Sequence, residues 1–193
     1  MLPILNNFFI DPDICFDVSK LQDALGKVDS RVARQSPLGK RDINAICLTQ
    51  IPGDPNSITG GNIRGLFWTR PDSTGKEVQR ENPIDESQYT EFVKLFEDTY
   101  FKEVYDTLIP KYNLGRVRLL WKMPRTTLSW HRDPERRLHI PIVTNPGALM
   151  IIDDEVKHMP ADGKVWITDN TKYHNAFNGG EEDRVHLVAT VIE

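Results

Sequence analysis

From residue 116 onward, short apolar runs alternate with Pro, Gly, Asn and Asp, and this spacing strongly limits the folds open to the chain. The runs span residues 116–123, 128–133, 139–143, 148–152, 164–168 and 184–192. Short strands at such intervals are typical of β-barrels and β-sandwiches. No helical pattern interrupts them, so the sequence predicts a β-barrel or sandwich in this part of the chain.

The part before residue 116 has a different character. Residues 1–18 are expected to form an irregular or extended lead-in, and a short helix is expected to begin at Ser19. Residues 43–51 predict a strand. A second, longer helix is predicted from Asp85, because the apolar residues that follow have helical spacing. That apolar stripe consists of Tyr89, Phe92, Val93, Phe96, Tyr100 and Val104.

The length of 193 residues suits one domain with a sizeable core. We expect residues 1–115 to give helical and loop support, including a candidate substrate lid, and residues 116–193 to form the β core with the site. Residues 52–83 are rich in Gly and Pro, which is typical of a loop. A long loop in a compact domain is more often functional than not.

The net charge of −4 is spread along the chain, without a run of five or six like charges. This distribution argues against binding to nucleic acid or to a membrane surface. The N-terminus lacks the basic region of a signal peptide, and no apolar run is long enough to cross a bilayer. The only two cysteines, Cys15 and Cys47, are expected to be buried free thiols. Together these features predict a soluble, cytoplasmic protein.

Two residues with metal-binding side chains, His131 and Asp133, stand two apart in the run 128–133. Residues two apart in a strand point to the same side, so an imidazole and a carboxylate would face one point. A third ligand can come from His174, which follows 41 residues after Asp133. Two histidines and one carboxylate on one side of a metal leave positions open, which suits non-haem Fe(II) oxygen chemistry.

Each of these residues also has an ordinary interpretation. His131 can be a barrel histidine, Asp133 can be an N-cap before a proline, and His174 can be a turn residue bonded to a nearby asparagine. Arg184, ten residues after His174, can pair with the acidic residues 181–183. The order of all four residues along the chain favours one shared site over four separate explanations.

The sequence around these residues resembles a known family. The order His131-Arg132-Asp133, His174 and Arg184 matches the His-x-Asp, His, Arg pattern of Fe(II)- and 2-oxoglutarate-dependent oxygenases. The flanking stretches, RLHIPIVTN at 137–145 and GKVWITDN at 163–170, are similar to the aspartyl/asparaginyl β-hydroxylase family. The bacterial proline cis-hydroxylases are similar members. The resemblance covers roughly residues 116–192.

The resemblance implies a mainly β fold, a double-stranded β-helix barrel of the jelly-roll or cupin-like type, with supporting N-terminal helices. It implies that His131, Asp133 and His174 hold Fe(II) at the mouth of the barrel. Arg184 would pair with the distal carboxylate of 2-oxoglutarate, because a guanidinium meets a carboxylate bidentately and keeps its charge.

Arg137 and His139 match an Arg-x-His of the family, whose side chains lie near the other carboxylate of 2-oxoglutarate. Members that act on Asp or Asn in proteins can lack the carboxylate ligand, whereas this chain has Asp133. Its presence favours the amino-acid hydroxylase branch, and hydroxylation over halogenation.

The expected activity is that of a 2-oxoglutarate-dependent dioxygenase. It would use Fe(II) and O2 to hydroxylate an unactivated C–H of an amino acid, or of a residue in a peptide or protein, and would release succinate and CO2. The loop 52–83 offers Arg64, Trp68 and Arg70 as candidate substrate contacts. The acidic chain argues against a nucleic-acid substrate, because phosphate binding needs a basic face.

Two other classes of function stay open on the sequence. One is a non-catalytic barrel that binds a metal or small molecule as a sensor. Structural zinc sites are usually closed by four ligands, so a triad with an open face argues against it. The other is a metal-dependent isomerase or hydrolase on a similar barrel, against which Arg184 counts as a partner for a dicarboxylate.

Overall fold

The structure is a computed structural model that describes residues 6–34, 43–58, 67–69, 74–79, 81 and 83–193. In chain order, the helices and strands are β1 (Phe8–Cys15), α1 (Val18–Arg31), β2 (Ile43–Cys47), β3 (Thr49–Gln50), β4 (Phe67–Thr69), β5 (Glu77–Gln79), β6 (Glu91–Phe92), α2 (Tyr100–Leu108), β7 (Leu114–Lys122), β8 (Thr126–Thr127), β9 (His131–Arg132), β10 (Arg136–Val143), β11 (Ala148–Ile152), β12 (Glu155–Lys157), β13 (Lys164–Thr168), β14 (His174–Asn178) and β15 (Arg184–Val191).

Most strands belong to two antiparallel sheets. The sheet with the longer strands, which we call the large sheet, has six strands in the order β1-β13-β10-β15-β7-β2. The other, which we call the small sheet, has seven mostly shorter strands in the order β12-β11-β14-β9-β4-β5, with β8 paired to β14. A separate short pair joins β3 to β6. The mainly β fold predicted from the sequence is therefore confirmed.

From β7 onward, the chain passes back and forth between the two sheets. The strands β7, β10, β13 and β15 lie in the large sheet, and those between them lie in the small sheet. Such alternation wraps one sheet over the other, as in a jelly roll. Within the described residues, no ladder joins the sheets, so they face each other without closing into a continuous barrel.

Side chains between the sheets form a small apolar cluster at one end. Phe8 and Trp166 come from the large sheet, and Met150 and Ile152 come from the small one. As large apolar residues of the β region, Trp130 and Trp166 are both expected in the core. Trp166 is buried, whereas Trp130 is 40% exposed.

The main core lies on the opposite face of the large sheet, beneath α1 and α2. In β15, Val185, Leu187, Ala189 and Val191 point to this core. The intervening residues point to the space between the sheets, and every residue of the strand is buried. Strict alternation therefore divides one strand between an apolar core and a polar interior.

Helix α1 confirms the first predicted helix, and its residues Leu21, Ala24 and Val28 are buried. It begins one residue before Ser19, after an N-cap at Asp17, whose side chain accepts a hydrogen bond from the backbone N–H of Lys20. The lead-in is extended, as expected, and forms the edge strand β1. Among the described residues, neither helix combines the length and apolar character needed to cross a bilayer.

The long helix predicted from Asp85 is wrong over its first half. Only Tyr100–Leu108 is α-helical. Before it, Glu86–Gln88 and Lys94–Phe96 form short 3-10 turns, and β6 pairs with β3. The backbone N–H of Val93 also donates to the carbonyl of Leu48, 2.8 Å away. Pairing with another segment thus replaces the hydrogen bonds that a helix would make, while the apolar side chains stay buried.

Both cysteines are free thiols, as predicted. Cys47 is buried, but Cys15 is exposed at the end of the edge strand β1, so the expectation of two buried thiols is wrong for Cys15.

A close approach between Gly115 in β7 and the turn at Glu86 requires a glycine. A Cβ at position 115 would lie 2.5 Å from the backbone oxygen of Glu86. We expect Gly115→Ala to lower the free energy of unfolding by about 1–3 kcal/mol, because the turn would have to move away from the sheet. The midpoint of urea unfolding, followed by circular dichroism, measures this change.

The matched control is Gly26→Ala in α1, where an added Cβ meets nothing within 4 Å. This substitution should raise the free energy of unfolding by about 0.5–1 kcal/mol through helix propensity. Equal unfolding midpoints for Gly115→Ala and the unmodified protein would show that the turn does not press on β7 as described.

Candidate metal centre

Three potential metal ligands meet between the sheets. His131 opens β9, His174 opens β14, and these two residues are paired across the small sheet. Their ring centroids lie 4.1 Å apart. Asp133 follows β9, and one ligand atom from each of the three residues lies within 4.8 Å of the others. The structure thus brings together the three residues predicted as metal ligands, all of them buried.

Each histidine is oriented by a backbone carbonyl two residues before it. The Nδ1 of His131 lies 2.7 Å from the carbonyl oxygen of Ser129, and the Nδ1 of His174 lies 3.0 Å from that of Lys172. A carbonyl can only accept, so Nδ1 carries the proton in both rings and Nε2 is the nitrogen that can bind a metal. The Nε2 of His174 lies 2.9 Å from the side-chain nitrogen of Asn170, a donor that a metal would displace.

Asp133 is held at two points, one in its backbone and one in its carboxylate. Its backbone N–H donates to the carbonyl of Asn170 at 2.8 Å. Its Oδ2 accepts from the Nε of Arg137 at 3.0 Å. Burial alone would raise the pKa of Asp133, but the charge of Arg137 and the neighbouring His174 and His131 together outweigh burial and keep this pKa below its usual value. The group is therefore an anion near neutral pH.

Burial, followed by the neighbouring His131, lowers the pKa of His174 to about 4. The ring is thus neutral near pH 7, which is the form that binds metals. Two imidazoles and a carboxylate, clustered and buried on one side, fit a divalent transition metal. The residues present therefore suit an iron site.

Arg184 lines the same cavity as the three ligands. Its side chain is buried, and no carboxylate pairs with it in the part of the chain that the structure describes. Burial lowers its pKa to about 9, so the guanidinium remains charged near pH 7. A buried cation without a counter-ion is costly, and an anionic ligand in the cavity would offset that cost.

The predicted pair Arg137 and His139 also lines this cavity, but the two side chains differ in charge and in their hydrogen-bond partners. Both ring nitrogens of His139 lack a hydrogen-bond partner among the described residues. Burial, followed by the charge of Arg184, lowers its pKa well below the usual value, so the ring is neutral. Arg137, in contrast, already pairs with Asp133 and with Glu86.

The predicted substrate contacts remain predictions. Arg64 and Arg70 lie outside the described residues. Trp68 lies in β4, and its backbone pairs with that of His131. This pairing places the strand beside the candidate ligands.

Sequence reasoning missed the cations of β7. Arg116, Arg118 and Lys122 are buried, and the last two line the cavity. They alternate with apolar residues that face the main core, and this alternation was visible in the sequence. Glu86, which contacts both arginines, was also missed. It lies in the segment that was predicted to be helical, and no local pattern marked it.

Comparison with known families gives one match. The model of the Aspartyl/Asparaginyl beta-hydroxylase family matches residues 85–193, which is more than half of the chain. This span includes the three candidate ligands, Arg184 and Glu86. None of the curated proteins matches the chain.

Several solved structures share the fold. An oxidoreductase of the 2OG-Fe(II) oxygenase family from Burkholderia pseudomallei aligns with a TM-score of 0.51 at 13% identity, covering 96% of this chain and 84% of that protein. HygX from Streptomyces hygroscopicus, solved with nickel and 2-oxoglutarate, gives a TM-score of 0.52 at 8% identity, covering 96% and 82%. The viral collagen prolyl hydroxylase vCPH from Paramecium bursaria Chlorella virus-1 gives 0.51 at 10% identity, covering 96% and 95%. The fold is thus the double-stranded β-helix of these oxygenases.

The geometry predicts that three side chains determine metal affinity. We expect His131→Ala, Asp133→Ala and His174→Ala each to weaken the binding of Co²⁺ by more than about 100-fold, because direct ligands contribute more than their outer partners do. The visible absorption of bound Co²⁺ during titration of the metal-free protein measures this. His158→Ala is the control, since the Nδ1 of His158 contacts the carbonyl of Ala148 in the hairpin of β11 and β12. Wild-type affinity in any of the three variants would remove that residue from the site.

Proposed function

Because the chain belongs to the aspartyl/asparaginyl β-hydroxylase family, we propose that it hydroxylates an amino acid, or an amino-acid residue in a peptide or protein, with Fe(II), 2-oxoglutarate and O2. The observation that carries this proposal is one cavity that joins the cluster of His131, Asp133 and His174 to the guanidinium of Arg184, which has no carboxylate partner among the described residues. A metal site alone would fit many activities. A metal site beside a buried cation without a counter-ion fits a carboxylate cosubstrate.

The overall reaction converts a C–H bond to C–OH. One oxygen atom of O2 enters the product, and the other enters succinate as 2-oxoglutarate loses CO2. The iron, when bound with 2-oxoglutarate, supplies the oxidising chemistry that side chains lack. The chain holds the ligands, orients the cosubstrate and keeps the reacting groups away from bulk water.

Within this proposal, Arg184 binds the distal carboxylate of 2-oxoglutarate. It lies at the start of β15, beside Lys122 in β7, and both side chains line the cavity. His139 lies further along, opposite Val188, and can donate or accept a hydrogen bond through ring nitrogens that have no such partner among the described residues. The cosubstrate would thus lie along the inner face of the large sheet, with its keto acid end towards the ligands.

Arg118 supports the choice of an amino-acid substrate. It lines the cavity and is buried, and its Nε and Nη1 have no hydrogen-bond partner among the described residues. Its Nη2 is paired with Glu86 at 3.1 Å. Burial lowers its pKa to about 10, so it stays charged near pH 7. Arg118 is thus a second guanidinium with N–H donors available to a ligand, and we assign it to binding a carboxylate of the substrate.

The alternative of a non-catalytic sensor predicts a different outcome. A sensor would bind a metal or small molecule without consuming 2-oxoglutarate. Succinate formation that requires both Fe(II) and 2-oxoglutarate separates the two functions.

The first test is anaerobic titration with Fe(II) and then 2-oxoglutarate, which should produce the weak visible charge-transfer band of the bound cosubstrate. We expect Arg184→Gln to raise the concentration of 2-oxoglutarate that half-saturates this band by about 10- to 100-fold, the size of a lost charge-assisted pair. Arg125→Gln, which removes an exposed arginine paired with Glu181, should leave it unchanged. Iron binding without any band would contradict the proposed function.

The second test concerns the substrate. A screen of free amino acids and short peptides for succinate release identifies a substrate, and Arg118→Gln should then raise its KM by about 10-fold or more. The KM for 2-oxoglutarate should change by less than about twofold. A variant that instead loses affinity for 2-oxoglutarate alone would show that Arg118 binds the cosubstrate.

A further inference from the structure

Glu86 occupies an unusual position for a carboxylate. It lies in the 3-10 turn Glu86–Gln88, outside both sheets, and its side chain is only 10% exposed. Two features fix this turn. The side chain of Asp85 accepts a hydrogen bond from the backbone N–H of Ser87, and the backbone of Glu86 rests against Gly115. The carboxylate therefore enters the space between the sheets from a fixed point.

The Glu86 carboxylate is shared by three arginines of the large sheet. Its Oε1 lies 3.1 Å from the Nη2 of Arg118 and 3.5 Å from the Nη1 of Arg116. Its Oε2 accepts from the Nη1 of Arg137 and from the hydroxyl of Thr190. Burial would raise the pKa of Glu86, but the three positive charges outweigh it and hold this pKa well below its usual range. It is thus the charged centre of a buried cluster.

Arg137 connects this cluster to the candidate metal site. One edge of its guanidinium donates to Glu86 and Thr190, and its Nε donates to Oδ2 of Asp133. The guanidinium is planar and rigid, so fixing one edge also fixes the direction of the Nε–H bond. That bond occupies one oxygen of Asp133 and leaves the other for a metal.

We propose that Glu86 is a positioning residue, which acts through Arg137 to hold the carboxylate of Asp133 in its metal-binding orientation. This inference rests on the ligand set of the proposed function but adds a residue far from the ligands in sequence. Without the anion at position 86, three arginines would repel one another, and Arg137 would lose the contact that anchors its far edge. Asp133 would then keep its charge but lose its fixed direction.

The test measures metal binding rather than turnover. In the metal-free protein, Glu86→Gln should weaken Co²⁺ binding by about 10- to 100-fold, the range for outer partners of a metal ligand. The control is Glu135→Gln. Glu135 is also near Arg137, but its carboxylate lies 4.0 Å from Nη2, beyond hydrogen-bonding distance. Its removal should change the affinity by less than about twofold.

A second pair of variants tests whether the effect passes through Arg137. In an Arg137→Gln background, the further change Glu86→Gln should weaken Co²⁺ binding by less than about twofold, because residues that act in series are not additive. Thr190→Val removes one hydroxyl and no charge. It is a variant for the case in which Glu86→Gln does not fold, and it should weaken binding by about 3- to 10-fold.

Wild-type Co²⁺ affinity in both Glu86→Gln and Thr190→Val would overturn the proposal. So would an effect of Glu86→Gln that is equally large with and without Arg137, since it would then be general rather than transmitted. Failure of the proposed function gives a different result from failure of the positioning role of Glu86. In that case the unmodified protein would bind Co²⁺ and respond to Glu86→Gln, but would not form succinate from 2-oxoglutarate.

Discussion

Removing charged side chains from water is the constraint on which the inner face of the large sheet depends. Arg116, Arg118, Arg137 and Arg184 are all buried on this face. Each buried charge costs several kcal/mol unless it is paired and hydrogen-bonded. Glu86 compensates three of them at one end, and Arg184 at the other end has no carboxylate partner in the described part of the chain. The fold thus balances its own charge beside the candidate ligand Asp133, and leaves a cation where an anionic ligand can bind.

The same strands that carry these charges also carry the main core. Leu138 and Ile140 of β10 pack under the helices, while Arg137 and His139 between them face the cavity. A core packed at the density of an organic crystal allows little movement of the strands. The positions of the inward side chains are therefore determined by apolar packing on the other side of the sheet. The N-terminal helices contribute to the site in this indirect way.

The sequence predicted what depends on local patterns. The strands 148–152 and 164–168 have the predicted bounds, because alternation and flanking turns mark a strand from within. The helix from Asp85 failed, since apolar spacing alone did not distinguish a helix from two buried turns and a strand. His174 was predicted as a ligand but not as the start of β14, whose pattern is weak. The distant pairing of β3 with β6 left no local signal.

The three candidate ligands also differ in whether the groups that orient them lie nearby in the sequence. His131 and His174 are each oriented by the carbonyl two residues before them, so a short motif carries both the ligand and its support. Asp133 depends on Arg137, and Arg137 depends on Glu86, which is 47 residues before Asp133. A sequence motif can reveal the histidines together with their supports, but it reveals Asp133 without its support. The family match from residue 85 onward includes Glu86, as expected if the site extends beyond the strands that bear the ligands.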